Sequence, residues 1–215
     1  GAMHRHADLG FCTDMYAATV LEMNASDVVY SVAKLFFAYG LGNAGYFPAG
    51  TGAGVVLNPG RPVPETIAAH VTTYRPSLFF GVPTSFGQLL SSDISDDTFE
   101  SVRVAISAGE ALPAEIHRRF RERFRVEILD GLGTTELAHI AISNRPGQSV
   151  ANSSGTVVDG YEVSIRDENG EEVADGEPGT MHIKGDSVMV GYWNRTAQTR
   201  LALMGEFLAT GDTYV

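Results

Sequence analysis

Three short apolar runs stand out in the first two thirds of the chain. "PSLFFGVP" (76–83), "VRVAIS" (102–107) and "VEILD" (126–130) are continuous rather than alternating, which is the pattern of strands buried on both faces. Between the last two lies "LPAEIHRRFRERF" (112–124). There Ile116, Phe120 and Phe124 recur every four residues and form one apolar helix face, and Pro113 suits a first helical turn. Strand, helix, strand at this spacing predicts a βαβ unit in a parallel sheet. After about residue 150 the period changes. "YEVSIRDENGEEVADGEPGTMHIKG" alternates with period two, and Asn169-Gly170 is a hairpin signal. The predicted fold is α/β: a parallel-sheet βαβ layer with flanking helices over 4–150, and a small antiparallel β subdomain over 151–215. The boundary is placed in the Pro-, Gly- and Ser-rich "NRPGQSVANSSG" (144–155). Gly1-Ala2-Met3 (1–3) reads as a tag remnant.

Composition narrows the function classes. With 215 residues, 44% of them hydrophobic and 19% charged, the chain buries one sizeable core, or one core plus a small second one. A net charge of −11 argues against nucleic acid or an anionic membrane as partner. It leaves room for a small anion held by backbone amides. The single cysteine, Cys12, excludes an internal disulfide and a CxxC metal site, and is expected to be a buried, inert thiol. No apolar run reaches the roughly 18–20 residues of a membrane span, and no signal peptide is visible, so a soluble, cytoplasmic protein is expected. Arg118, Arg119, Arg121, Arg123 and Arg125 are interleaved with Glu115, Glu122 and Glu127, and read as a solvated helix face rather than a basic patch. Lys34, in an apolar stretch, receives no role. The sequence does not fix the oligomeric state.

Several stretches carry candidate chemistry. "GLGNAG" (40–45) fits the dinucleotide pattern G-x-G-x-x-G, but Pro48, Gly50, Gly52 and Gly54 interrupt the helix that should follow, so a nicotinamide-dependent oxidoreductase is the weaker reading. "SAGEALP" (107–113) and "GLGTTE" (131–136) each follow a predicted strand, where open α/β sheets place ligands. Their glycines allow amides to approach a phosphate, threonine hydroxyls donate, and Glu136 suits a hard cation such as Mg²⁺. Equally, Thr135 and Glu136 read as a helix cap and a first-turn acid.

"SAGEALP", "GLGTTE", "GEPGTMHIKGDSVMVGYWN" (176–194) and "ATGD" (209–212), in this order, resemble the adenylate-forming ligases: acyl-CoA synthetases, carrier-loading adenylation domains and luciferases. "AKLFFAYGLGN" (33–43), "SAGEALPAEI" (107–116) and "DGLGTTELAHI" (130–140) are similar to the benzoate-CoA ligase branch. The resemblance implies an ATP-dependent, AMP-forming acid-thiol ligase that makes benzoyl-AMP and passes the acyl group to coenzyme A. Activation of a substituted benzoate, or loading of a carrier protein, is the nearest alternative. A non-catalytic module that keeps only the nucleotide pocket is a further one. By the resemblance, Thr135 contacts phosphate and Glu136 binds Mg²⁺. Ala108, Gly109, Glu110 and Ala111 form one wall of the adenine pocket, Asp130 and Gly131 its other edge, Leu132 takes the position often filled by a tyrosine that stacks on adenine, and Asp212 takes the ribose. Ala38, Tyr39, Gly40, His139 and Ile140 line the pocket for a small aryl carboxylate, where His139 is expected to orient the carboxylate or the aryl edge. The family's Ser/Thr/Gly-rich phosphate loop and its C-terminal lid lie outside these 215 residues. The chain is therefore expected to be an internal piece that binds ligand weakly and does not turn over alone.

Overall fold

The computed structural model describes residues 1–214. The chain begins with β1 (Ala2–Met3), α1 (His6–Cys12), a π-helical stretch Thr13–Ala18 and β2 (Val28–Ser31). A second helical run follows: α2 (Ala38–Leu41), a π-helical stretch Gly42–Tyr46 and α3 (Phe47–Thr51), ending at β3 (Gly54–Val56). Helix and strand then alternate through α4 (Pro64–Tyr74), β4 (Leu78–Gly81), α5 (Pro83–Leu90), β5 (Val104–Ser107), α6 (Ala114–Phe124) and β6 (Ile128–Gly133). With β7 (Ile140–Ser143) and β8 (Thr156–Val157) they build a seven-stranded sheet in the order β3-β2-β4-β5-β6-β7-β8. The first five strands of that order are parallel, and β7 and β8 join antiparallel.

The predicted strands are β4, β5 and β6, and every residue of β4 and β5 is buried. Their side chains alternate between two cores. Leu78, Phe80, Val104, Ile106 and Leu129 face a layer containing Tyr16, Phe47 and the second sheet, whereas Phe79, Ala105 and Ile128 face α4, α5 and α6. This two-sided burial is why the runs are continuous rather than alternating. Helix α6 buries Phe120 and Phe124, with Ile116 packed beside them, as its four-residue spacing predicts. Pro113 sits one step outside the helix, in extended geometry at the cap.

Two arginines of α6 make ion pairs. Arg118 pairs with exposed Glu115 and Glu122. Arg123 donates to the carbonyls of Leu89, Leu90, Ser92 and Ile94 and to Asp96, so it closes the loop after α5. Lys34 plays a similar part: its ammonium donates to the carbonyls of Asn58 and, at 2.6 Å, Gly60, which ties down the loop after β3.

The later part of the chain holds β9 (Tyr161–Arg166), β10 (Gly179–Gly185), β11 (Gly191–Tyr192), α7 (Thr196–Ala202), β12 (Leu203–Met204) and β13 (Phe207–Tyr214). Four of these strands form an antiparallel sheet ordered β12-β13-β10-β9. The large sheet reaches past residue 150 to take in β8, and the antiparallel sheet starts at Tyr161. Asn169-Gly170 does make a turn, closed by Gly170 N–H to the Asp167 carbonyl at 3.1 Å. Only the isolated bridge Arg166–Glu172 continues the pairing beyond it, so the turn is the tip of a longer connection. Ala2 and Met3 pair with Tyr192 and Gly191, and the amide of Trp193 donates to the Gly1 carbonyl. The expected tag remnant is thus stitched to the far end of the chain.

Candidate active site

The C-terminal ends of β5 and β6 meet in a cleft with two connected compartments. The larger, about 710 Å³, is lined by Gly109, Glu110, Ala111, Asp130, Gly131, Leu132 and Asp212, together with Asn152–Gly155 and Tyr214. The smaller, about 240 Å³, is lined by Ala38, Tyr39, Ala108, His139, Ile140 and Thr135, joined by Phe37, Thr134 and Ala138. Gly109 and Gly133 line both, so the compartments share a wall. The residues expected around adenine and ribose thus gather in one compartment and those expected around the acid in the other, with two exceptions. Ala108 lies on the acid side. Gly40 is on neither wall: a Cβ there would come within 2.1 Å of the Lys34 carbonyl, so its missing side chain makes room for backbone. Phe37, Thr134 and Asn152–Gly155 were not foreseen. The threonine pair and the Asn-Ser-Ser-Gly run were visible in the sequence but had no spacing rule to mark them.

A second open depression of about 820 Å³ lies over β9, lined by Glu172, Asp175 and Glu177. Its acidic rim is unsuited to a phosphate.

The loop between β6 and β7 carries Thr135 and Glu136 on one 3₁₀ turn, Thr135–Leu137. Its carbonyls are held one after another by different parts of the chain. The Thr134 carbonyl accepts the Leu137 amide at 3.1 Å, and the Thr135 carbonyl accepts His4 Nε2–H at 2.7 Å. Glu136 O accepts the Met189 amide at 2.8 Å, Leu137 O accepts Ser187 Oγ–H at 2.7 Å, and Ala138 O accepts the Tyr46 hydroxyl at 3.2 Å. His4 is itself anchored by fully buried Asp8, 3.1 Å from its Nδ1. Ala138 leaves the turn at φ 65°, a left-handed conformation that costs a non-glycine residue on the order of 1–3 kcal/mol. The surrounding bonds hold that strained residue in place, and His139 follows it directly into the smaller compartment.

The carboxylate of Glu136 accepts the Tyr192 hydroxyl at 2.6 Å. This bond raises the Tyr192 phenol to about 12. Asp130 is half-buried, and loss of hydration raises its carboxyl to about 6 against the pull of the Leu112 and Gly131 amides. His139 is 3% exposed, and burial lowers it to about 3, so it is neutral. Three aromatic rings enclose it, Phe47, Tyr16 and Tyr39, with centroids at 4.5, 5.4 and 5.4 Å. Tyr39 is fixed by its hydroxyl, 3.2 Å from the carbonyls of both Gly81 and Ile106. Asp212 reaches the cleft through a bulge. Between the pairs Thr180–Thr213 and His182–Ala209, one residue of β10 opposes three of β13, and Gly211 turns through φ 81°.

The described residues leave few buried side-chain polar atoms without partners: His70 Nδ1, Ser107 Oγ, Asp130 Oδ1, Thr134 Oγ1 and His139 Nδ1. Asp130, Thr134 and His139 line this cleft, and Ser107 directly precedes Ala108 in its wall. Buried polar atoms are rarely left unpaired without a reason. Among the described residues no cluster of three or more His, Cys, Asp and Glu could hold a metal by itself. One carboxylate, Glu136, suits a magnesium ion whose other ligands are phosphate and water. No helix among the described residues is long and apolar enough to cross a membrane.

Two adjoining compartments at the ends of parallel strands are the arrangement expected of the adenylate-forming family, and comparison with known proteins shows the family. The profile of the family described as AMP-binding enzyme matches residues 1–193, so the chain belongs to that family. It is 42% identical to a benzoate–CoA ligase of Thauera aromatica over 100% of this chain and 41% of that protein. A 4-hydroxybenzoate–CoA/benzoate–CoA ligase of Rhodopseudomonas palustris is 38% identical over 100% of this chain and 40% of its own length. Among solved structures, a benzoate CoA ligase from Burkholderia xenovorans LB400 superposes with a TM-score of 0.96 and 44% identity, covering 100% of this chain and 44% of that one. An anthranilate CoA ligase solved with anthranoyl-AMP also gives 0.96, at 37% identity, covering 98% of this chain and 41% of that one. The chain thus spans about two fifths of the length of the relatives it matches.

Proposed function

We propose that the chain is the nucleotide- and acid-binding portion of a cytoplasmic, ATP- and Mg²⁺-dependent aryl-CoA ligase, which converts benzoate and ATP to benzoyl-AMP and pyrophosphate and then transfers the benzoyl group to the coenzyme A thiol, releasing AMP. The observation that carries this reading is the small compartment. At about 240 Å³ it falls below the roughly 300–1,000 Å³ of sites for drug-sized ligands, and its walls include the apolar faces of Phe37, Tyr39, Ala108 and Ile140 beside Thr134, Thr135 and His139. That suits one flat ring and not a long chain. In this reading Asp212 accepts the ribose hydroxyls, and Asp130 with the Gly109–Ala111 turn borders the base. Thr135 donates to phosphate. Glu136, oriented by Tyr192, would supply one oxygen to a magnesium ion, whose charge would offset that of the phosphates. The carboxylate enters where the two compartments share Gly109 and Gly133, so positioning accounts for part of the rate.

The test is calorimetric titration of this chain with benzoyl-sulfamoyl-adenosine, a non-hydrolysable mimic of benzoyl-AMP, against the hexanoyl analogue. Tighter binding of the benzoyl compound by roughly ten-fold or more, about 1.4 kcal/mol, is expected. Equal affinities refute the aryl assignment, and binding of neither removes the formed-pocket reading for these residues.

A further inference from the structure

We propose that Asn43 is a positioning residue that fixes His139 as the Nε2–H tautomer and leaves Nδ1 as a bare acceptor. The assignment propagates from one end of a chain of contacts. The Ala33 carbonyl can only accept, so Ser31 Oγ, 3.0 Å away, donates its proton there. Ser31 Oγ is then an acceptor toward Asn43, 3.3 Å away, which places the Asn43 amide NH₂ on that side. Asn43 Oδ1 is left facing His139 Nε2 at 2.9 Å, and the imidazole has to donate. Nδ1 has no partner. Since burial keeps the ring neutral, Nδ1 carries no second proton.

Local backbone makes the contact possible. Asn43 lies in the π-helical stretch Gly42–Tyr46 and is fully buried. A π-helical stretch inserted among α-helical residues changes which side chains face inward, and such stretches recur at functional sites. Gly42, next in the chain, lies against the Cδ2–Nε2 edge of the same ring. One edge of His139 is therefore fully used by the helix.

The consequence deepens the aryl-ligase reading and rests on it. A neutral imidazole that spends its only proton on Asn43 has none to donate to the acid's carboxylate. The relay itself belongs to the ligand-free chain, so it stands or falls independently of that reading.

The experiment is a long-range proton–nitrogen correlation spectrum of the chain labelled with ¹⁵N-histidine, in which protonated and bare ring nitrogens resonate far apart; the His139 signals are identified by their loss in His139→Gln. The expected result is one protonated Nε2 and one bare Nδ1, unchanged between about pH 8 and 5. Asn43→Asp keeps the acceptor oxygen and should keep the proton on Nε2, whereas Asn43→Leu should redistribute it between the two nitrogens. A proton on Nδ1 in the unmodified chain, or an Asn43→Leu spectrum identical to it, overturns the proposal. If Asn43→Leu does not fold, the unmodified and Asn43→Asp spectra still decide: loss of the Nε2 proton in either refutes the relay.

Discussion

Replacing Gly42 with alanine tests whether "GLGNAG" is a packing motif or a ligand loop. A Cβ at Gly42 would sit 2.3 Å from His139 Cδ2, 2.8 Å from its Nε2 and 2.9 Å from the Tyr46 hydroxyl. Ordinary carbon contacts lie at roughly 3.5–4.0 Å, so the ring would have to retreat by more than about 1 Å. It has nowhere to go: Phe47, Tyr16 and Tyr39 enclose it, and its Nε2 is bound to Asn43. Overpacking of this kind costs about 1–3 kcal/mol, and an immobile neighbour argues for the upper end. Alanine regains about 1 kcal/mol over glycine in a helix. The net expectation is a loss of about 2 kcal/mol.

Gly10 provides the internal control. It lies inside α1, and a Cβ there meets nothing within 4 Å. Gly10→Ala should therefore gain up to about 1 kcal/mol from the same propensity term. With a urea slope of about 2.5 kcal/mol per molar, the midpoints should move roughly 0.8 M down for Gly42→Ala and up to roughly 0.4 M up for Gly10→Ala. Far-UV circular dichroism reads both. Two variants with the same chemistry should move in opposite directions. A Gly42→Ala midpoint at or above that of the unmodified chain refutes the close-packing argument and reopens a ligand-facing role for this glycine.

Asp130→Asn should stabilise the ligand-free chain at neutral pH. A carboxyl raised from 3.8 to about 6 binds its proton more tightly when folded, so its contribution is intact below about pH 4 and is lost as pH rises through about 6. The full shift corresponds to at most roughly 3 kcal/mol, and the group's partial exposure reduces this to about 1. Urea midpoints at pH 4 and 7.5 should differ between variant and parent only at the higher pH; a variant less stable at pH 7.5 contradicts the reasoning. Tyr192→Phe removes the phenol raised to about 12 by Glu136, so alkaline absorbance titration should lose one late-ionising tyrosine. Since the folded pKa is the higher one, stability contributed by this bond is present below about pH 10 and fades as pH passes 12. An unchanged titration curve would mean that the 2.6 Å contact is not formed in solution.

The elements readable in the sequence were those whose cause is local. Phe79 and Phe80 point to opposite cores, so both positions had to be apolar and the run announced a central strand. The repeat Ile116, Phe120, Phe124 announced α6 in the same way. That the residues lining the larger compartment come together was legible because most of them sit in two short loops at adjacent strand ends, with Asp212 in a motif of its own. What escaped has its cause far along the chain. Nothing near "GLGNAG" says that its second glycine faces a histidine, because His139 lies 96 residues beyond Asn43. The pattern is also silent on the π-helical stretches, which change the inward face without changing composition. Lys34 had no role until the carbonyls of Asn58 and Gly60 were seen around its ammonium.

Two kinds of polar atom meet at the loop 134–139, and their division of labour is itself an argument about function. Every carbonyl from Thr134 to Ala138 accepts a hydrogen bond, three of them from side chains remote in sequence, His4, Tyr46 and Ser187. Long-range donors hold the strained turn rigidly before any ligand arrives, which is the condition for charge stabilisation without reorganisation during reaction. In contrast, Asp130 Oδ1, Thr134 Oγ1 and His139 Nδ1, buried on residues that line the same cleft, have no hydrogen-bond partner among the described residues. The ligand expected here lies against that rigid turn. It must present polar groups along the larger compartment and, past the shared Gly109–Gly133 wall, a compact apolar end into the smaller one. An aryl-adenylate has that shape and that order of groups.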